Sequence, residues 1–283
     1  MSIFDSVSKD FVFDTSQGNK LKVTVFGEEN ISKSPCIILV HGFKGFKDWG
    51  FCPYIGEYFS NRDFFVITFN FSHNGIGNNL TEFTELDKFA ENTFSLEIKE
   101  LSELIDAYKN NFLGKTNNKP IGLLGHSRGG GISILTAKQK KDINTAAVWA
   151  SVSSFDRYSK RQKEVWRKKG VFEVLNTRTN QVMKLNVSLL DDLEKNKNGL
   201  LNIENAVKNL NKPLFIAHGE QDLAVPVKEA ETIYDWSNKE MTEFIRIPST
   251  GHTFDAKHPF EGSNPKLDFL LDKTEKFFKN NLT

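Results

Sequence analysis

The chain has 283 residues, of which 39% are hydrophobic and 26% charged, and its formal net charge is +1. A chain of this size can bury the core of a single α/β domain without disulfides or metals, and its 25 Phe residues exclude a disordered protein. The balance of 37 basic and 36 acidic residues argues against a nucleic-acid partner. Residues 1–20 show no apolar run of signal-peptide length, and no stretch approaches the ~20 apolar residues of a membrane helix. We therefore expect a soluble cytoplasmic protein with no membrane partner.

Apolar strand-like runs alternate with amphipathic runs along the chain. Residues 10–14 and 21–26 flank a turn-forming cluster at 16–19, which predicts an antiparallel hairpin at a sheet edge. Further strands are predicted at 36–40, 64–71, 121–124, 146–150, 213–217 and 243–247, and helices at 51–60, 91–111, 128–140, 227–236 and 266–280. This alternation predicts an α/β fold with a mostly parallel central sheet and helices on both faces.

The segment 151–212 does not continue this alternation of strands and helices. A basic helix is predicted at 160–168, a hairpin from 171–175 and 182–185, and short helices at 189–195 and 203–210. An unstructured connection of this length would be unusual in a compact domain. We interpret residues 156–210 as a small cap inserted in one domain that spans residues 1–283. The basic residues are typical of a helix face that is exposed to solvent. The alternative is that they attract anionic substrates.

The pentapeptide 125–129, Gly-His-Ser-Arg-Gly, follows the strand predicted at 121–124 and precedes a helix rich in small residues. A sharp strand-to-helix turn strains its central residue and requires glycine on both sides. It presents the Ser127 hydroxyl at the carboxyl edge of the sheet, above a helix amino terminus that favours negative charge. This context predicts that Ser127 is a nucleophile.

A serine nucleophile needs a histidine base. The six candidates are His41, His73, His126, His218, His252 and His258. His252 is preferred because it lies in the loop after the last predicted strand, and His258 is the runner-up. His126 belongs to the elbow itself, so we expect its side chain to point away from the reacting centre.

A carboxylate should fix the tautomer of that base. Asp222 lies in the loop after the strand predicted at 213–217, and Glu220 is the alternative. The chain order is then Ser127, Asp222, His252.

Acyl transfer also needs backbone N–H donors for the developing oxyanion. Arg128, directly after the nucleophile, is one candidate, and Phe43, in the His-Gly-Phe loop after the strand at 36–40, is the other. The ring of Phe43, with Trp149 and Trp166, is a candidate wall of the substrate pocket. No pattern of metal ligands, dinucleotide fingerprint or P-loop is present, so we expect neither a metal nor a cofactor.

Together these motifs resemble the α/β-hydrolase fold superfamily, and within it the dienelactone-hydrolase-like and cinnamoyl/feruloyl-esterase-like serine hydrolases. The motifs are residues 41–45 (HGFKG), 125–130 (GHSRGG), 218–227 (HGEQDLAVPV) and 249–254 (STGHTF). The resemblance implies an α/β-hydrolase fold with Ser127 as nucleophile, His252 as base and Asp222 as acid. It also implies the amides of Phe43 and Arg128 as oxyanion donors.

We therefore expect a serine hydrolase that cleaves small carboxylic esters through an acyl-enzyme. One alternative is an amidase or peptidase of the same fold, and another is a ligand-binding homologue without turnover. The expected partner is a small-molecule ester. The sequence leaves open whether the chain forms a homodimer.

Overall fold

The computed structural model describes residues 8–78 and 82–282. Its strands are β1 (Ser8–Asp14), β2 (Lys20–Phe26), β3 (Cys36–Val40), β4 (Phe65–Phe69), β5 (Ile121–His126), β6 (Ile143–Trp149), β7 (Val171–Asn176), β8 (Gln181–Asn186), β9 (Leu214–Gly219) and β10 (Thr242–Ile247). Its α-helices are α1 (Cys52–Ser60), α2 (Leu86–Glu91), α3 (Phe94–Lys109), α4 (Arg128–Gln139), α5 (Lys160–Lys169), α6 (Val187–Asn196), α7 (Ile203–Lys208), α8 (Val227–Trp236) and α9 (Pro265–Asn281). In these ranges no helix is both long and apolar enough to cross a membrane.

Eight strands form one sheet in the order β1-β2-β4-β3-β5-β6-β9-β10. The strand β2 pairs antiparallel with β1 and with β4, and every pair from β4 to β10 is parallel. The predicted edge hairpin and mostly parallel sheet are therefore confirmed. Since the central strands run in one direction, the loops that follow β3, β5, β6, β9 and β10 gather at one sheet edge.

The sheet is covered on both faces, as predicted. Strands β3 and β4 are buried along their whole length, which explains their continuous apolar sequences. One apolar core contains residues of α3, α4, α7 and α8, and a second contains residues of α1 and α9. The central strands are thus held between two packed layers of helices.

The helix predicted at 91–111 is wrong as a single element. The chain forms α2 and α3 instead, with a break at Asn92 and Thr93. The Thr93 hydroxyl accepts a hydrogen bond from the amide of Leu96 (3.2 Å), so it caps the start of α3. Asn92 donates to the carboxylate of Glu97 (2.7 Å) across the same break.

Residues between β6 and β9 contain α5, the antiparallel hairpin β7–β8, α6 and α7, as the sequence predicts. The hairpin forms a separate two-stranded sheet. Trp166 of α5 is fully buried and packs against Tyr158 and Phe172, with ring centroids 5.1 and 5.2 Å away. The basic residues of α5 are exposed except for the half-buried Lys163, which pairs with Asp156 at 2.6 Å. Arg167 pairs with Asp191 at 2.9 Å.

Candidate active site

The turn between β5 and α4 carries Ser127 in a strained conformation, with φ 58° and ψ −123°. A Cβ at Gly125 would lie 2.4 Å from the carbonyl oxygen of Gly129, and one at Gly129 would lie 2.2 Å from that of Val40. Any side chain at either position would therefore push the turn apart. The predicted elbow geometry is confirmed, and the strain is of the kind that concentrates at functional sites.

Ser127 lies on the wall of a cavity of about 470 Å³ at the carboxyl edge of the sheet. Its amide donates to the carbonyl oxygen of Trp149 (2.9 Å), which ties the elbow to the end of β6. His252 lines the same cavity. In the described ranges no hydrogen bond joins the Ser127 hydroxyl to His252, but such bonds are often long until a substrate binds.

Asp222 and His252 form a hydrogen-bonded pair, with Nδ1 of His252 2.7 Å from Oδ2 of Asp222. Oδ1 of Asp222 accepts hydrogen bonds from the amides of Ala224 and Val225, both at 2.8 Å. Nε2 of His218 lies 3.2 Å from Oδ2. The carboxylate is thus fixed from several sides, which leaves Nε2 of His252 as the ring nitrogen that does not face it.

The environment of Asp222 favours its ionised form. Burial alone raises the pKa of this carboxyl, but hydrogen bonds from His218 and His252, and the nearby His252, outweigh it. The net result is a pKa well below the ordinary value of an aspartate. An ionised Asp222 can orient the imidazole of His252 and stabilise it when it takes up a proton.

His126 differs from its prediction. Its side chain lines the cavity, its Nε2 lies 2.8 Å from the carbonyl oxygen of His252, and the two imidazole rings are 4.8 Å apart. The expectation that it points away from the reacting centre is therefore wrong. Burial, with the nearby charge of His252, lowers the pKa of His126 to about 3, so the ring is neutral and can donate to the backbone of the His252 loop.

The two alternative site residues lie in other contacts. Glu220 forms an ion pair with Arg246 at 3.1 Å. His258 accepts a hydrogen bond from the amide of Gly50 at 3.0 Å and stacks on Trp49. Among the described residues, neither side chain forms a hydrogen bond or an ion pair with Asp222 or His252.

The loop after β3 lies directly against the elbow. A Cβ at Gly42 would be 2.9 Å from Cβ of Ser127 and 3.4 Å from its hydroxyl oxygen. Phe43 and Arg128 both line the cavity beside Ser127. Arg128 is the first residue of α4, so its amide has no partner within the helix. Both candidate donors therefore belong to residues that line the same cavity as Ser127.

Two of the three predicted pocket residues line the cavity. Phe43 and Trp149 line the cavity, whereas Trp166 does not, because it is buried under Tyr158 and Phe172 in the segment 156–210. Sequence reasoning also missed several basic residues of the cavity wall. They are Lys44, Lys47, Arg157 and Arg178. Among residues 8–78 and 82–282, no group of three or more His, Cys, Asp or Glu side chains could hold a metal ion.

Solved structures with the same fold include several esterases. One is Est1E from Butyrivibrio proteoclasticus with ferulic acid bound, at 17% identity and a TM-score of 0.72, over 96% of this chain and 98% of that one. Another is the α/β hydrolase GrgF from Penicillium sp. sh18, at 17% identity and a TM-score of 0.73, over 98% and 99%. An esterase from Pyrococcus furiosus has 21% identity and a TM-score of 0.64, over 98% and 92%. These similarities confirm the α/β-hydrolase fold.

A search of curated proteins gave no significant match. The sequence pattern of the prolyl oligopeptidase family, in contrast, matches residues 56–277, which include the elbow and both the Asp222 and His252 loops. The chain therefore belongs to the prolyl oligopeptidase family and is a serine hydrolase of the α/β-hydrolase fold.

Proposed function

We propose that this chain hydrolyses small carboxylic esters through an acyl-enzyme on Ser127, with His252 as base and Asp222 as acid. The observation that carries the proposal is the 2.7 Å hydrogen bond between Asp222 and His252, because His252 lines the same cavity as the strained Ser127. A carboxylate, an imidazole and a hydroxyl in this order are the groups that nucleophilic acyl transfer requires.

In the first step His252 accepts the proton of Ser127 while the serine oxygen bonds to the ester carbonyl carbon. The carbonyl oxygen becomes an oxyanion, which accepts hydrogen bonds from the amides of Phe43 and Arg128. When the intermediate collapses, the bond to the alcohol oxygen breaks and the alcohol leaves with the proton from His252. Water then attacks the acyl-enzyme by the same steps, which releases the acid and restores Ser127.

The cavity supports a small substrate. Its volume of about 470 Å³ is within the range of small-molecule sites, and aromatic residues such as Phe43, Phe51 and Phe155 line it. Residues Tyr158, Asn176 and Thr177 also line it, so we propose that the segment 156–210 is a cap over the site. The bound ferulic acid of the Est1E structure is consistent with an ester of a small aromatic acid.

Peptide or amide hydrolysis is the second candidate. The match to the prolyl oligopeptidase family favours it, and the chemistry of the three side chains is shared by both reactions. The two candidates differ in the leaving group that His252 must protonate, an alcohol in one case and an amine in the other.

The test is a panel of 4-nitrophenyl esters with acyl chains of increasing length, run beside aminoacyl and prolyl 4-nitroanilides. We expect ester turnover with kcat/KM far above that for the anilides, and a loss of about 10³-fold or more in Ser127→Ala. Turnover of anilides alone would favour the peptidase. If the folded protein cleaved neither class, or if Ser127→Ala matched the parent, the proposal would be wrong.

A further inference from the structure

The cavity wall carries charge of one sign. Five cationic residues line it, and among the described residues no carboxylate does. They are Lys44, Lys47, Arg128, Arg157 and Arg178. A neutral ester gives no reason for this arrangement, because it offers no charge with which these cations could pair.

Three of the five cations are already paired with carboxylates that lie outside the lining. The pairs are Lys47 with Asp48 (2.8 Å), Arg128 with Glu97 (3.4 Å) and Arg157 with Glu229 (3.2 Å). Arg128 is also held between the rings of Phe43 and Phe94, at 4.2 and 4.9 Å from their centroids. These three cations therefore already have partners within the protein itself.

Lys44 and Arg178 have no such partner. Within residues 8–78 and 82–282 neither forms an ion pair with a carboxylate. The ammonium of Lys44 donates to the carbonyl oxygen of Leu175 (3.2 Å), and the guanidinium of Arg178 donates to that of Lys44. Burial, and then the charge of Arg178, lower the pKa of Lys44. Two like charges thus share one part of the cavity, a local potential that favours an anion.

Lys44 and Arg178 lie in the cavity where a substrate of Ser127 would bind. Lys44 directly follows Phe43 in the loop that lies against Ser127, and Arg178 lies in the turn between β7 and β8. Both line the same cavity as Ser127. An anion bound there would lie where the β7–β8 hairpin meets the Phe43 loop.

We propose that Lys44 and Arg178 form a subsite for an oxyanion of the substrate, so that the preferred esters carry a free carboxylate or phosphonate besides the scissile bond. The proposal rests on the function proposed for Ser127. It places the anion in charge-assisted hydrogen bonds from both cations, which are stronger than hydrogen bonds between neutral groups. The exposed basic face of α5 takes no part in this subsite.

The test compares 4-nitrophenyl half-esters of dicarboxylic acids, from glutarate to suberate, with the same compounds whose free carboxylate is methylated. A third series ends in a phosphonate. The measured quantity is the ratio of kcat/KM for the anionic and neutral compounds of equal length, so that general effects on catalysis cancel. We expect the parent protein to prefer the anionic compounds about tenfold or more, with the preference falling as salt is raised.

Lys44→Gln and Arg178→Gln should each lower that ratio about threefold, and the double variant should bring it close to one. Arg178→Lys keeps the charge, so it should retain more of the preference for anionic compounds than Arg178→Gln does. Arg161→Gln makes the same change on α5, outside the cavity lining, and should leave the ratio unchanged. A parent ratio near one in both anionic series, or a ratio that survives the double variant, would overturn the subsite.

A binding measurement separates this inference from the proposed reaction. If the parent cleaves no ester, the reaction is wrong, but calorimetric titration of Ser127→Ala with monomethyl dicarboxylates still tests the subsite. Binding at least tenfold weaker after adding Lys44→Gln and Arg178→Gln supports it. Equal binding with and without the two cations, or no binding to Ser127→Ala itself, contradicts it.

Discussion

The two oxygens of Asp222 have separate roles in the structure. Oδ1 accepts hydrogen bonds from the amides of Ala224 and Val225, so the loop after β9 fixes the carboxylate by its own backbone. Oδ2 is left to face the imidazoles of His252 and His218, at 2.7 and 3.2 Å. One oxygen therefore positions the side chain and the other is available to orient a base.

Asp222→Asn tests this division. Asparagine can keep the acceptor toward the backbone amides, but its NH₂ group would face Nδ1 of His252 and favour the wrong tautomer. We expect kcat for ester hydrolysis to fall by about 10³–10⁴-fold with a small change in the melting temperature.

The control for that variant is Glu220→Gln, two residues away on an ion pair with Arg246. It should keep its activity. A large loss in Glu220→Gln together with an active Asp222→Asn would assign the acid to Glu220 instead.

His41 gives a prediction about acid stability. Nε2 of this buried imidazole accepts from the amide of Phe71 (3.2 Å), and Nδ1 lies 3.0 Å from the carbonyl oxygen of Gly42. Burial lowers its pKa from 6.5 to about 4. Below pH 6.5 the unfolded chain takes up a proton that the folded ring cannot, so the free energy of unfolding should fall as the pH falls toward 4.

Urea unfolding at pH 7.5 and pH 5 measures this effect. The contribution of His41 is a loss of about 2 kcal/mol over that interval. His41→Asn should be less stable at pH 7.5 and show a smaller loss on acidification. An equal loss in the variant and the parent would show that His41 does not carry this effect.

At the scale of elements, the close approach of the β3 loop to the elbow depends on Gly42. A Cβ there would lie 2.9 Å from Cβ of Ser127 and 3.0 Å from the carbonyl oxygen of His126. We expect Gly42→Ala to move the Phe43 amide away from Ser127 and to lower kcat about 10–100-fold, with a smaller change in KM.

Gly199→Ala is the matched control, since its Cβ would come no closer than 3.8 Å to the nearest neighbour, the carbonyl oxygen of Asn196. It should leave the kinetics unchanged. A Gly42→Ala variant with the kcat of the parent would show that this loop does not supply an oxyanion donor.

The regular elements were predictable because their apolar spacing matches one face of a helix or a buried strand. The helix α8 (Val227–Trp236) has the predicted bounds. The break before α3 was not predicted, because the apolar spacing continues across it. In the structure Asn92 is the C-cap of α2, and Thr93 caps the start of α3. A Thr three residues before Leu96 was the available signal, but it is weak where no glycine or proline accompanies it.

The candidate site was predictable to the extent that its residues follow strands. Ser127, Asp222 and His252 each come after a predicted strand, and parallel strands bring such loops to one edge. The contact of His126 with the His252 loop was not predictable, because it depends on the side-chain direction within a strained turn. The cavity position of Arg178 depends on how the β7–β8 hairpin folds over the sheet, which has no local sequence signal.

At the scale of the whole molecule, α9 closes one face of the sheet. Phe278 is fully buried and its ring centroid lies 6.0 and 6.4 Å from those of Phe59 and Phe64. A Cβ at Gly122 of β5 would be 2.8 Å from Phe278, so this ring fills the space above the strand that leads to the elbow. The helix thereby packs directly on the strand that leads to the elbow.

Phe278→Ala should lower the free energy of unfolding by about 3–5 kcal/mol, because it removes a large buried ring and leaves a cavity. Phe269→Ala makes the same change on the exposed side of α9, where Phe269 is 45% exposed. It should cost less than about 1 kcal/mol. Equal losses in the two variants, measured by urea unfolding, would contradict this packing.

The most direct test of the proposed chemistry is covalent labelling with a fluorophosphonate, followed by peptide mapping. Such a probe phosphonylates a serine whose hydroxyl is activated by a neighbouring base. We predict one added group on Ser127, no labelling of folded Ser127→Ala, and at least 100-fold slower labelling of Asp222→Asn. A folded parent protein that stays unlabelled, or that is labelled at another serine, would contradict the assignment of Ser127 as nucleophile.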